Sequence, residues 1–383
     1  MATSRDRILT THVGSLPRSA SIVEWLKLKE SGQTYDRPAF DAAIRAGVDE
    51  VVARQLDVGI DIVSDGETSK IGYATYIKDR LSGFDGHFPR PPHRDLAPHP
   101  DLREALGRML GQQSFKRAAC VGPIALTDRE AVRKDTENLK AALEAHGGRR
   151  GFLNAASPGV ISAFQSNRFY PSHETYVDAI AAVMQYEYEA IVAAGFDLQL
   201  DCPDLAMARH TGFQELGEDE FLARAAYQVE ALNRAVVNIP AERMRMHICW
   251  GNYEGPHDHD IPLTRILDIV LRAKPAALVF EAANPRHRHE WTVWRDADLP
   301  EDKVLVPGCI SSTSNYVEHP ELVAEQICQF ADIIGRDRVI AGTDCGFGTF
   351  VGTSRVVPEV AWKKLAALVE GARLASARLW RRI

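Results

Sequence analysis

No run of apolar residues in this sequence approaches the roughly 20 that a membrane-spanning helix requires. No apolar leader core follows Met1-Ala2-Thr3-Ser4-Arg5-Asp6-Arg7 either. Those two absences point to a cytoplasmic protein without a membrane partner. A surplus of basic residues is also missing: 45 Lys and Arg stand against 52 Asp and Glu, a formal charge of -7. That balance provides no basic stripe for nucleic acid. Cysteine is sparse, six in 383 residues with no close C-x-x-C pair, which excludes a disulfide scaffold. The glycine fingerprint of dinucleotide-binding folds is absent too. Gly346-Phe347-Gly348 with Gly352 is irregular and follows the last strand-like run instead of the first.

What is present is an alternation of short apolar runs with helix-patterned stretches. Ile8 to Val13 is β-branched and ends in the turn Gly14-Ser15-Leu16-Pro17-Arg18. Helical spacing follows at 22–28 and again at 40–56, where Ile44, Val48, Val51, Val52 and Leu56 share a face. Further strand-like runs fall at 61–64, 117–124, 151–160, 196–200, 244–249, 277–281, 304–308 and 339–345. Helical stretches at 128–146, 174–194, 218–236, 263–272, 320–334 and 360–380 alternate with them. Repeated β-then-α units with right-handed crossovers predict a parallel sheet. At this length they predict one (β/α)8 TIM barrel spanning 1–383, with an open doubly wound sheet as the other arrangement. Nine runs are one too many for eight staves, and Ile8 to Val13 is taken as the spare. The alternation is interrupted at 79–113, where Pro89, Pro91, Pro92, Pro98 and Pro100 speak against a long regular element. This inserted segment is expected to lie over the mouth of the barrel. Its histidines, His87, His93 and His99, read as solvated.

Chemistry concentrates where apolar runs end. His247 and Cys249 close the run from Met244, and their alternation turns both side chains to one face. Glu281 follows Ala277-Leu278-Val279-Phe280, and Cys345 sits in Gly342-Thr343-Asp344-Cys345-Gly346. In a parallel α/β fold such C-terminal strand ends converge on one site. One imidazole, two thiolates and one carboxylate form a nitrogen, sulfur and oxygen set suited to tetrahedral zinc. The bland reading of each residue alone is a buried core cysteine or a hydrogen-bonded histidine. Four together, spread over about a hundred residues, speak for an open catalytic metal site over a closed structural one.

The same residues carry a resemblance. Thr10-Thr11-His12-Val13-Gly14-Ser15-Leu16-Pro17, Asp65-Gly66-Glu67, Asp201-Cys202-Pro203, His247-Ile248-Cys249, Glu281, Val306-Pro307-Gly308 and Asp344-Cys345-Gly346 resemble, in order and spacing, the catalytic barrel of cobalamin-independent methionine synthase. The resemblance implies a barrel of the methionine synthase and uroporphyrinogen decarboxylase type, with Zn2+ held by His247, Cys249, Glu281 and Cys345. It implies that Gly14, Ser15, Glu67 and Asp201 hold the backbone of a small-molecule thiol, homocysteine, with Glu67 and Asp201 facing its ammonium. Zinc lowers a thiol's pKa and so makes a nucleophile for a methyl or alkyl donor.

The chain departs from that family in places. The two-barrel synthases carry an additional N-terminal barrel, and the family's proton-donor histidine is missing from the turn Cys309-Ile310-Ser311-Ser312-Thr313-Ser314-Asn315. No other proton donor is assigned. Phe164 is the aromatic at the position that would stack on a pterin. Arg286 and Arg288, in Asn284-Pro285-Arg286-His287-Arg288-His289-Glu290-Trp291, suit an anionic substrate group. They suggest a second reading, similarity to the epoxyalkane:coenzyme M transferases, in which the thiol opens an epoxide. A third is a non-catalytic zinc barrel that docks a corrinoid or other partner protein. His257 and His259, in the loop after Cys249, could gate the site or move a proton, but loop histidines usually do neither. The donor (folate, methylcorrinoid or epoxide) and the choice between monomer and homo-oligomer stay open at this stage.

Overall fold

The computed structural model describes residues 3–110, 116–148, 150–353 and 355–380. Positions 111–113 of the inserted segment lie outside the described residues. In chain order the strands are β1 (Leu9–Thr10), β2 (Val63–Ser64), β3 (Phe84–Asp85), β4 (Ala119–Cys120), β5 (Gly151–Ala156), β6 (Asp197–Asp201), β7 (Met244–Ile248), β8 (Ala277–Phe280), β9 (Val304–Pro307) and β10 (Ile340–Ala341). A parallel sheet runs in the order β2-β5-β6-β7-β8-β9. It curls until its edges meet through two further strands. β10 joins β9 by the bridges Leu305–Val339 and Gly308–Gly342, and β1 pairs with β10, Leu9 opposite Ile340. The Asp61 and Ile62 N–H groups then donate to the Thr10 carbonyl and return the ring to β2. Eight parallel staves with their crossover helices make an α/β barrel.

The run Ile8 to Val13, expected to be the spare, is therefore a stave. The run outside the barrel is 117–124, whose strand β4 pairs antiparallel with β3. Both belong to a flap over one end of the barrel. The inserted segment also holds more regular structure than its prolines suggested, a helix at Pro100–Leu110. Its proline is at the first position, where the missing N–H costs nothing.

Local sequence accounts for the crossover helices. Asp36 accepts the Ala39 N–H ahead of Arg37–Val58, Pro38 lies in that helix's first turn, and Gly59 at φ 97° ends it. Ser172 caps His173–Ala193 through the Thr175 N–H. The run 151–160 splits: the strand stops at Ala156, and Ser157 with Pro158 starts a short helix, Pro158–Phe164. Buried staves such as β8 and β9 read as unbroken apolar runs because both faces are covered. Inside the barrel Val13, Ile62, Phe152, Val279, Val306 and Ile340 form a core separate from the larger one between strands and helices. Arg245 on β7 is buried among them, donating to Thr11 Oγ1 (2.9 Å) and the His12 carbonyl (2.7 Å) over the Phe152 ring. No helix among the described residues is long and apolar enough to cross a membrane.

Candidate metal and thiol site

Register places the site. Asp201 on β6 pairs with His247 on β7, and His247 pairs with Val279 on β8. Cys249 and Glu281 each lie two residues further on, so they emerge on the same face at the same height. Cys345 arrives from the turn after β10. Cys249 Sγ and Cys345 Sγ are 3.1 Å apart without being bonded. His247 Nε2 is 3.7 Å from Cys345 Sγ, and Glu281 Oε1 is 4.0 Å from the same sulfur. All four side chains are buried.

Electrostatics in this cluster favour a cation. A hydrogen bond from Cys345 draws the Cys249 thiol down, but burial and the Glu281 charge outweigh it and leave it raised. Burial pushes the Cys345 thiol well up. Two such thiols become thiolates only beside positive charge. Burial works against the Glu281 charge, yet Arg286 and His287 more than offset it and hold its carboxyl low. The donor set fits a tetrahedral ion. With metal–sulfur bonds of about 2.3 Å and metal–nitrogen bonds of about 2.0–2.1 Å, zinc would set the sulfurs about 3.8 Å apart and sulfur to nitrogen at about 3.6 Å. The imidazole is already at that separation, and the sulfurs would part by roughly 0.7 Å.

Surrounding groups hold the donors in place. His247 Nδ1 lies 3.4 Å from Asp201 Oδ1, the carboxylate–imidazole arrangement that orients a metal-binding histidine. Glu281 Oε1 accepts the Trp250 N–H, and Oε2 accepts from Asn284 Nδ2 and Arg286 Nη2, both at 2.7 Å. Asp344 accepts the backbone N–H groups of Ala282, Ala283 and Asn284 at 2.8–2.9 Å, fixing the turn behind Glu281. Burial and the Glu281 charge lift the Asp344 carboxyl to about 6.

The sulfurs line a cleft at the C-terminal end of the barrel. Ser15, Glu67 and Asp201 line it. Gly14 does not, but it lets the chain pass: it has φ 138°, and a Cβ there would meet Asn154 at 2.2 Å. Its N–H donates to Nδ1 of buried His12, whose Nε2 is 2.7 Å from Gln55. Glu67 has φ 53°, is 2% exposed, and its Oε2 has no partner. Burial raises its carboxyl to about 8, against the pull of Lys70. A buried carboxyl oxygen without a partner at the edge of a cleft is suited to pair with a cationic group.

Other expectations are corrected. Arg286 and Arg288 are absent from the described lining of the cleft. Arg286 is occupied by Glu281, Asp260 and His257. His257 is buried at φ 55° and hydrogen-bonds Asp260, whereas His259 is exposed. His93 also turns inward: it packs 4.9 Å from the Tyr253 ring and lines the cleft, while His87 and His99 are exposed. Sequence reading missed Tyr73, Asn252, Arg90, Arg117 and Arg355, which also line the cleft. Asn252 donates to the Gly346 carbonyl and to Thr349. Only its place two residues after the Trp250 turn could have marked it.

No family model matches the chain. The methionine synthase of Saccharolobus solfataricus is 24% identical over 390 residues, covering 97% of this chain and 96% of that protein. The methionine synthase of Sulfurisphaera tokodaii is 23% identical over 378 residues, covering 95% and 91%. Among solved structures, a B12-independent methionine synthase from Shewanella superposes with a TM-score of 0.71 at 19% identity, over 97% of this chain and 99% of that one. One from Listeria monocytogenes, described as putative, gives 0.64 at 17% identity, over 96% and 98%. The barrel is that of these neighbours. Over nearly its full length the chain is thus similar to methionine synthases, and its fold is that of the B12-independent methionine synthase barrels.

Proposed function

We propose that this chain, one domain over 1–383, is a cytoplasmic zinc-dependent S-methyltransferase that methylates the thiol of homocysteine. The observation that carries the reading is two buried, unbonded sulfurs 3.1 Å apart that line an open cleft, with an imidazole and a carboxylate beside them. His247, Cys249, Glu281 and Cys345 would hold the zinc, which when bound would acidify a thiol. The chain's own residues do the rest. Glu67 and Asp201 offer two carboxylates to the ammonium and so fix where the thiol lies. Arg286 and the Trp250 N–H keep Glu281 ionised and aimed at the sulfurs. The inserted segment borders the mouth, tied down where Arg94 N–H donates to the His210 carbonyl and Asp95 accepts from Tyr253.

Asp201, joined by Glu67 whenever it is ionised, weighs against a sulfonate-bearing thiol, which would set like charges together in a low-dielectric site. An open cleft above the sulfurs weighs against a metal that only docks a partner. Zinc-edge X-ray absorption, with and without homocysteine, tests the reading. One added sulfur ligand with homocysteine, and none with coenzyme M, is expected. An unchanged spectrum with homocysteine overturns it.

A further inference from the structure

Alkylating a thiol moves a proton as well as a carbon. The thiol gives one up as its sulfur becomes a nucleophile, and a nitrogen or oxygen that leaves the transferred carbon must take one. In-line displacement sets that leaving atom on the side of the carbon away from the sulfur, toward the mouth of the cleft. Among the described lining residues the imidazoles are His247, beside the sulfurs, and His93, from the inserted segment that borders the mouth. The two tyrosines of the lining are poor proton donors. Burial holds Tyr73 well above its usual range. Burial and the Asp95 carboxylate do the same to Tyr253, whose hydroxyl donates to Asp95 at 2.6 Å. His93 is different. Its Nδ1 is buried without a hydrogen-bond partner. Burial and the His210 imidazole bring the ring down to about 3, against the pull of Asp95. A group that holds a proton so weakly passes one on and does not store it.

The same ring is well anchored. The His93 carbonyl accepts the Leu96 and Ala97 N–H groups, and the Arg94 N–H donates to the His210 carbonyl. The imidazole stands edge-on to Tyr253 at 4.9 Å and to His210 at 6.2 Å. Behind it the Tyr253 hydroxyl is 3.1 Å from His210 Nε2, and His210 Nδ1 is 3.5 Å from Asp260. A positive charge arriving on His93 therefore meets the carboxylates of Asp95 and Asp260 across a buried polar network.

We propose that His93 is the proton donor of this enzyme, passing a proton to the nitrogen or oxygen atom that the alkyl group leaves. The inference rests on the reading that a thiol is alkylated in this cleft. In the step the sulfur–carbon bond forms and the bond from carbon to the leaving atom breaks. The electron pair of the broken bond takes the proton from His93, directly or through one water. The proton that the thiol released restores the ring, and nothing is oxidised or reduced. The imidazole that the turn 309–315 lacks is supplied instead by the inserted segment.

Single turnovers of the zinc-loaded protein with homocysteine and alkyl donors of two kinds test this. Methyltetrahydrofolate and epoxypropane leave through nitrogen and oxygen, which need a proton, whereas methyl iodide and methylcobalamin leave without one. The wild type is expected to use at least one of the first pair. With that donor His93→Asn and His93→Gln are each expected to slow alkylation about 100-fold or more, and with methyl iodide to stay within about 2-fold of the wild type. Equal slowing with both kinds of donor gives His93 a structural role only and overturns the proposal. So does an undiminished rate in both variants with the proton-requiring donor. Wild-type turnover with methyl iodide or methylcobalamin, and with neither of the first pair, overturns it as well. Failure of the wild type to alkylate homocysteine even with methyl iodide overturns the thiol reading instead.

Discussion

Glu67 is the position where function and stability are set most clearly against each other. Its carboxyl is 2% exposed, has an open Oε2, and titrates near 8 in place of the usual 4.5. The sign follows from proton binding. Between pH 4.5 and 8 the folded chain keeps a proton on Glu67 that the unfolded chain has lost, so stability falls as pH rises through that window. Each pKa unit corresponds to about 1.36 kcal/mol, which bounds the cost of ionised Glu67 above pH 8 at roughly 5 kcal/mol. Glu67→Gln keeps shape and backbone, so the strain of φ 53° cancels in the comparison. Water entering the cleft screens part of the charge, and the variant is expected to gain on the order of 3 kcal/mol at pH 9 and under about 0.5 kcal/mol at pH 4.5. Urea denaturation at the two pH values measures this. The same variant should raise KM for homocysteine about 10-fold or more while leaving 4-mercaptobutanoate, which has no ammonium, within about 2-fold. A stability gain independent of pH, or equal losses for both thiols, refutes the reasoning.

Cys249→Ser and Cys345→Ser should each lose bound zinc and turnover together and keep the far-ultraviolet circular dichroism of the barrel. Full zinc by elemental analysis in either variant removes that sulfur from the donor set. Arg286→Gln takes away the charge beside Glu281 and should weaken zinc about 10- to 100-fold, read by chelator competition. Wild-type affinity would show that Glu281 is held well enough by the Trp250 N–H and Asn284. Asp344→Ala leaves three backbone donors behind Glu281 without their acceptor. It should cost about 3 kcal/mol or more of unfolding free energy, and a change under about 1 kcal/mol would mean that water replaces the carboxylate.

Much of this molecule could be read from sequence because buried parallel strands announce themselves as apolar runs, and the first polar residue after each run faces the barrel mouth. That rule brought His247, Cys249 and Cys345 to one place, with Glu281 beside them. It failed where a stave is short. β1 is two residues long, and its partner β10 lies at the other end of the chain, so no local pattern marks it as the seam. The run 117–124 misled for the opposite reason: it is a real strand, but its partner β3 stands outside the ring. Closeness in sequence also misled for Arg286, which follows Glu281 by five residues and turns back onto it. The arginines that do face the cleft arrive from three remote segments, with no spacing to link them. His93 looked solvated because its segment is rich in proline, and only tertiary packing against Tyr253 turns it inward.

The seam between β1 and β10 has a consequence for how the protein comes into being. Cys345 is supplied just beyond the strand that closes the ring, 96 residues after Cys249. At about 5–20 residues per second of synthesis, the first sulfur emerges several seconds before the second. Through that interval the growing chain has an unclosed sheet and three of the four proposed donors, His247, Cys249 and Glu281. On the proposed zinc reading, the four-donor set would be complete only once the ring has shut, which would leave metal selection to the finished protein.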